Sequence, residues 1–250
     1  MTRPLLSIVV PAHDEEAFIG RTLQALHAAA EATGLAYEVI VVDDGSTDAT
    51  AEIARSGGAR VVPVVVRQIA AARNAGARVA NGEMLVFVDA DTIVTGRVLK
   101  AAVADMRKGA VGGGARAVYD EDTPRWAQRA IAVVVVLMRR VNWAAGCFFF
   151  VQRAAFERVG GFDERYFASE EIHLSRALKR LGRFVILPET VVTSGRKAHT
   201  YSSWHTLWLI ARMLRPGGLT RREHLGFWYT RDPRAPTRRR VRTGNEQGHE

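Results

Sequence analysis

The 250-residue chain is 48% hydrophobic and 24% charged, enough apolar material for a full core, which argues against a disordered or fibrous polypeptide. Its 35 lysines and arginines against 26 aspartates and glutamates give a net charge of +9, which favours anionic partners such as nucleotide phosphates or an acidic membrane surface. The single cysteine, Cys147, excludes an internal disulfide and a cysteine-based zinc site, fits a reducing cytoplasm, and reads as a small buried hydrophobe within Gly146-Cys147-Phe148-Phe149-Phe150.

Leu5 to Val10, closed by Pro11, predicts a first strand, and no signal-peptide pattern precedes it. Glu15 to Ala30 has helical spacing through Phe18, Ile19, Leu23 and Leu26. Tyr37 to Val42 predicts a second buried strand, ended by Asp43-Asp44-Gly45-Ser46, and Thr47 or Asp48 can cap a helix over Ala49 to Arg55. A third strand follows over Arg60 to Val66, then an alanine-rich helix over Ile69 to Ala80, then a fourth strand over Met84 to Val88. This alternation predicts an α/β fold with a doubly wound, mostly parallel sheet.

Beyond residue 91 the pattern loosens. Helices are expected over Val98 to Met106, Pro124 to Arg140 and Glu170 to Leu181. Strands are expected over Ala110 to Val118, Trp143 to Val151 and Phe184 to Leu187. Gly112-Gly113-Gly114 marks a bulge or a close approach to ligand. Tyr201 to Leu214 is an amphipathic helix whose aromatic face packs on the domain or meets a membrane. The longest apolar stretch, Ala130 to Met138, is too short to span a bilayer. Ordered structure is expected to end near Tyr229; the arginines between Arg231 and Arg242 form either a solvated tail or a contact with an anionic surface.

Three acidic clusters carry the candidate chemistry. Asp89-Ala90-Asp91 follows the fourth strand, where open α/β sheets bind ligands; in extended backbone its two carboxylates would aim together, and hard oxygens there suit Mg²⁺ or Mn²⁺ shared with a diphosphate. Ala90 between them would leave room for a nucleotide. Asp43-Asp44 can accept from a base N–H or a ribose hydroxyl, or can simply build an Asp/Ser-rich turn. Ser169-Glu170-Glu171 opens a helix, where acidic residues favour the dipole, but the lead-in Gly160-Gly161-Phe162-Asp163 and Tyr166-Phe167 would hold a carboxylate at the lip of a pocket. Thr193-Ser194-Gly195-Arg196-Lys197 is either a diphosphate grip through Arg196 and Lys197 or a surface turn. Trp143-Ala144-Ala145-Gly146 reads as a sugar-site floor with room for a hexose, with Trp143 either stacking on a sugar or packing in the core.

Five stretches in order resemble family 2 glycosyltransferases: Ser7 to Glu16, Val41 to Asp48, Ala72-Arg73-Asn74-Ala75-Gly76, Asp89-Ala90-Asp91, and Gly160 to Glu171. The resemblance runs from about Leu5 to His199 and implies a GT-A type of fold and transfer of a sugar from a nucleoside-diphosphate sugar to an acceptor hydroxyl, metal-dependent and inverting. It implies that Pro11, Ala12 and Glu15 line the nucleotide site, Asp44 contacts the base, Arg73 lies beside the nucleotide, Asp89 approaches the ribose, and Asp91 the metal. The family's acidic pair usually reads Glu-Asp; here it is Glu170-Glu171, and the base is carried to Glu171. A third metal ligand would be His199, with His205 as competitor, while His13 falls near the nucleotide. On this reading residues 1–229 form one domain: a nucleotide-binding half to about 95, an acceptor half to about 200 and an amphipathic helix near 201–215, followed by a basic tail over 230–250. Acceptors open to it are a lipid phosphate, a polysaccharide or a small molecule; no nucleic acid is expected, and the place of work would be the cytoplasm, peripherally at the inner face of a membrane.

Rival readings fare less well. Haloacid-dehalogenase-type phosphatases need D-x-D on an early strand, and Ile93 stands where Thr or Val would follow. A dinucleotide oxidoreductase needs G-x-G-x-x-G where this chain has Pro11-Ala12-His13-Asp14-Glu15. A nucleotidyltransferase would want a glycine-rich basic first loop. A nucleotide-sugar-binding or membrane-docking module without catalysis is the non-enzyme alternative.

Overall fold

The computed structural model describes residues 5–119, 146–166 and 170–194. They build one eight-stranded sheet: β1 (Leu6–Ala12), β2 (Tyr37–Asp44), β3 (Arg60–Val64), β4 (Met84–Val88), β5 (Thr92–Ile93), β6 (Gly112–Tyr119), β7 (Phe148–Gln152) and β8 (Phe184–Thr193). The spatial order is β3-β2-β1-β4-β7-β6-β8-β5. Strands β3, β2, β1 and β4 run parallel, as do β6 and β8; β7 runs antiparallel to both β4 and β6, and β5 antiparallel to β8.

Among the described residues six helices cover the two faces: α1 (Ile19–Glu31), α2 (Thr50–Ser56), α3 (Ile69–Val79), α4 (Gly96–Arg107), α5 (Arg153–Val159) and α6 (Glu170–Lys179). Alternate residues of each strand serve opposite cores. Ile8, Val10, Val86, Val88, Phe148 and Phe150 pack under α1 and α4. Val9, Ile40, Leu85, Phe87, Phe149 and Val151 pack under α3, α5 and α6. Gly76 is what brings α3 so close: a Cβ there would meet Val9 Cγ1 at 2.3 Å and Val42 Cγ2 at 2.8 Å.

Several boundaries differ from the sequence expectation, each for a physical reason. Residues 13–18 form a loop instead of the first turn of α1; the loop is tied to the start of α2, with Glu15 N donating to Thr50 Oγ1 (2.7 Å) and Glu16 N to Asp48 Oδ2 (3.2 Å). Strand β8 runs past the expected end at Leu187, because a register shift against β6 between Gly114 and Arg116 accommodates Pro188, which has no N–H to offer the ladder. The glycine triplet itself pairs in regular register and the irregularity follows it, with the extra residues on β8; Gly113 packs so tightly that a Cβ would lie 2.0 Å from Val185 O. Strand β5 and helix α5 were not expected. The helices expected over Pro124 to Arg140 and Tyr201 to Leu214 and the tail lie outside the described residues.

Candidate active site

The site forms where β4 ends. The chain does not stay extended there: Thr92 N donates to Asp89 O at 3.0 Å, closing a turn over residues 89–92. The two carboxylates therefore diverge. Asp89 turns to α3, its Oδ1 accepting from Arg73 Nη2 at 2.8 Å. Asp91 turns toward β8, where Thr193 Oγ1 stands 3.4 Å from Oδ1. Ala90 makes no room for a nucleotide; it is buried in the core, and Thr22 Oγ1 donates to its carbonyl at 2.7 Å. The antiparallel start of β7 closes the side of the turn, with Asp89 N donating to Cys147 O at 3.2 Å. Cys147 itself is half-buried, not wholly so, and burial together with the Asp89 and Asp91 charges pushes its thiol far up, so it stays protonated.

Arg73 is the hub of this region. Its guanidinium, 1% exposed, donates from Nη1 to Glu170 Oε1 (2.6 Å) and from Nη2 to Asp89 (2.8 Å) and to Gly146 O (2.7 Å), with the ring of Phe162 5.3 Å beneath. Burial opposes the charge, but Asp89, Glu170 and Glu171 outweigh it and keep the guanidinium protonated. Its side chain is engaged by protein groups below the surface. It ties the end of β4, the entry to β7 and the start of α6 into one unit.

Glu170 is 3% exposed, so its carboxylate is a buried partner of Arg73 and not an accessible acid; burial raises it against the pull of Arg73. Glu171 is half-buried beside Gly146. Burial first, and then the charge of Glu170, push its carboxyl up to about 8, against the attraction of Arg73. A Cβ built at Gly146 would lie 3.3 Å from Glu171 Oε1, so the space over its Cα is shared with that carboxyl.

The neighbouring residue Asn74 clamps the loop that leads to α6. Its Nδ2 donates to Phe162 O (2.8 Å) and Glu164 Oε1 (2.9 Å), and Phe162 N donates back to Oδ1 (3.0 Å). Gly160 and Gly161, at φ +84° and +77°, make the turn that permits this. Gln68 Nε2 reaches Glu164 O and Tyr166 O on the same loop. Neither clamp was read from the sequence. Asn74 was visible inside the Ala72–Gly76 motif; Gln68 carried no signal.

A second cluster sits at the ends of β1 and β2. Pro11 and Ala12 close β1, and Glu15 stands in the loop beyond. Asp44 is buried and accepts from three backbone donors, Val66 N (2.7 Å), Arg67 N (2.9 Å) and Gln68 N (3.2 Å). It thereby holds the segment between β3 and α3 in place, a commitment that competes with the expected contact to a base. His13 and Arg67 meet across this end of the sheet. Asp43 makes its turn with Ser46 N at 3.2 Å. Arg196, Lys197, His199, His205 and Trp143 lie outside the described residues.

The family model for glycosyl transferase family 2 matches residues 7–168. The chain belongs to that family. Among curated relatives of this family 2 chain, the validoxylamine A glucosyltransferase of Streptomyces hygroscopicus subsp. jinggangensis is 38% identical over 108 residues, 40% of this chain and 25% of that protein. The undecaprenyl-phosphate 4-deoxy-4-formamido-L-arabinose transferase of Pseudomonas paraeruginosa is 36% identical over 94 residues, 35% of this chain and 28% of that protein. The match thus spans 25% to 28% of the relatives' length. Among solved structures, the mannosyltransferase PcManGT of Pyrobaculum calidifontis, in complex with GDP-Man and Mn²⁺, superposes with TM-score 0.64 at 24% identity over 85% of this chain and 61% of that one. Glucosyl-3-phosphoglycerate synthase of Mycobacterium tuberculosis, with Mn²⁺, UDP and glucosyl-3-phosphoglycerate, gives 0.58 at 21% identity over 84% and 77%. These likenesses establish the fold as GT-A.

The donors of this family 2 site fit a hard divalent cation in one respect. Asp89 and Asp91 offer carboxylate oxygens at the carboxyl end of a strand, the kind of set that holds Mg²⁺ or Mn²⁺ when a diphosphate supplies further ligands. Asp89 has one oxygen engaged by Arg73, and Asp91 accepts from Thr193. Among the described residues no group of three or more His, Cys, Asp or Glu is arranged around a metal position.

Proposed function

We propose that this chain transfers a sugar from a nucleoside-diphosphate sugar to an acceptor hydroxyl, with inversion at the anomeric carbon and with Glu171 as the base. The acceptor oxygen attacks the anomeric carbon, the bond from that carbon to the diphosphate breaks, and the acceptor proton passes to the Glu171 carboxylate. The observation that carries this reading is the Glu171 carboxyl itself, seated beside Gly146 and pushed up to about 8, where a carboxylate is a far stronger base than in water. Arg73 and Glu170 act behind it, fixing the start of α6 relative to Asp89.

Mg²⁺ or Mn²⁺ would be held by Asp91 with Asp89 and His199, and would offset the charge that leaves with the nucleoside diphosphate. Pro11, Ala12, Glu15 and Asp44 border the nucleotide, with Asp89 toward the ribose and Arg196 and Lys197 on the diphosphate. Structural relatives solved with GDP-Man and with UDP support a nucleoside-diphosphate sugar as donor. A relative named for undecaprenyl phosphate supports a lipid phosphate among the acceptors. No helix among the described residues is long and apolar enough to cross a membrane, and the C-terminal arginines supply a peripheral contact with an anionic inner face.

The test is a thermal-shift screen of nucleoside-diphosphate sugars with and without Mn²⁺, followed by turnover of the donor that binds. Glu171→Gln is expected to lower turnover by at least about 100-fold while donor affinity stays within a few-fold. Turnover unchanged by that substitution would reduce the chain to a donor-binding module.

A further inference from the structure

We infer that Gly146 is a positioning residue whose missing side chain forms the seat of the Glu171 carboxyl, so that size at 146 and side-chain length at 171 are matched. The inference rests on the reading of Glu171 as the base. An ideal Cβ at Gly146 would stand 3.3 Å from Glu171 Oε1, 3.4 Å from Cδ and 3.7 Å from Oε2. The three nearest heavy atoms all belong to one carboxyl group, so a methyl there would press first on Glu171.

The backbone cannot step away to relieve the pressure. Gly146 O is held by Arg73 Nη2 at 2.7 Å, and the next carbonyl, Cys147 O, is held by Asp89 N at 3.2 Å. The base of α6 is held too, since Arg73 Nη1 binds Glu170 at 2.6 Å. The Glu171 carboxyl, hydrogen-bonded to the Glu170 side chain, is a side-chain group that can rotate where the two backbones cannot, so a larger residue at 146 moves it.

The need for glycine here is steric. At Gly161 the backbone sits at φ +77° and a side chain is strained whatever the space; Gly146 has no such left-handed φ, so alanine can adopt its conformation. Glutamate at 171 is one methylene longer than aspartate, which moves its carboxyl outward by up to about 1.5 Å. Glycine at 146 provides the volume that this extra reach occupies. Shortening residue 171 should therefore make alanine at 146 tolerable.

The experiment compares wild type, Gly146→Ala, Glu171→Asp, the double variant and Glu171→Gln, measuring kcat and KM for the donor together with Tm. Gly146→Ala is expected to lower kcat by about tenfold with donor KM changed less than about twofold, the signature of a displaced base. The double variant is expected to exceed the product of the two single effects by about tenfold. The Tm lost in Gly146→Ala should likewise be partly restored by Glu171→Asp. Effects on kcat and Tm that combine independently overturn the inference. A Gly146→Ala protein that does not fold supports it if the double variant folds, and overturns it if neither folds. Full turnover in Glu171→Gln would sink the assignment of the base alone; the Tm cycle would then still decide whether Gly146 seats the carboxyl.

Discussion

Replacing Arg73 with methionine removes the cation shared by Glu170, Asp89 and Gly146 while keeping an unbranched apolar stem. The two partners respond differently. Asp89 is 31% exposed and can be rehydrated, so its loss of a partner costs little. Glu170 is 3% exposed, and its 2.6 Å bond to Nη1 is the contact that matters. Removing one member of such a buried pair costs about 3–5 kcal/mol, because the other is left uncompensated. Glu170 can soften this by taking up a proton, which its burial already favours, so the low end of about 3 kcal/mol is expected. In a chain of this size 1 kcal/mol moves Tm by about 2–4 °C, which gives a drop of about 6–12 °C near neutral pH. Thermal unfolding followed by circular dichroism measures it. Arg165→Ala is the control, since the Arg165–Asp163 pair is exposed and its removal should leave Tm unchanged. Arg73→Met combined with Glu170→Leu should recover much of the loss, because an apolar pair needs no compensation. An Arg73→Met protein as stable as Arg165→Ala, or a double variant that is less stable than the single one, would refute the description of Arg73 as a buried charge clamp.

Asn74→Ala leaves Phe162 N and O without their side-chain partner, at a cost of about 1–3 kcal/mol, and should speed hydrogen exchange across residues 160–166; unchanged protection at Phe162 N would contradict the clamp. Asp91→Asn should abolish the part of donor binding that Mn²⁺ adds, read as the loss of the Mn²⁺-dependent thermal shift; a shift equal to wild type would remove Asp91 from the metal site. In the metal-free protein, the carboxyl of Glu171 is raised from 4.5 to about 8, so the folded state binds this proton more tightly than the unfolded state. Its contribution to stability is complete below the ordinary value and is lost as pH rises through about 8. Wild-type Tm should therefore fall relative to Glu171→Gln across that interval, and two parallel curves would show that Glu171 does not titrate as described.

The strands of the parallel half were legible because both faces of the sheet are buried, which makes each strand a continuous apolar run. Val9 and Val10 look alike in sequence yet serve opposite cores. Boundaries failed where contacts distant in the chain decide them. The helical spacing from Glu15 onward was real, but Glu15 and Glu16 are tied to Thr50 and Asp48 at the start of α2, and α1 begins only at Ile19. Pro188 reads as the end of a strand because the pairing with β6 that resumes at Thr190, beyond the irregularity, is invisible from β8 alone. Strand β5 has two residues and helix α5 seven, too few for either period to register.

The candidate site divides along the same line. The position of Asp89 and Asp91 after β4 follows from local pattern, but their common direction assumed extended backbone, and one turn hydrogen bond sends them to α3 and to β8. Arg73 stands out as a motif residue, but its partner Glu170 lies 97 positions further on, beyond the reach of any local pattern. The five-residue motif of α3 is best understood as three separate devices. Gly76 lets the helix settle on β1 and β2, Asn74 grips the glycine turn before α6, and Arg73 joins that helix to the end of β4. Each device acts on a different segment, yet all three set where Glu171 stands relative to Asp89 and Asp91. A substitution in this motif therefore alters stability and site geometry together. Catalytic loss at Arg73 or Asn74 reports on that shared frame before it reports on any contact with substrate.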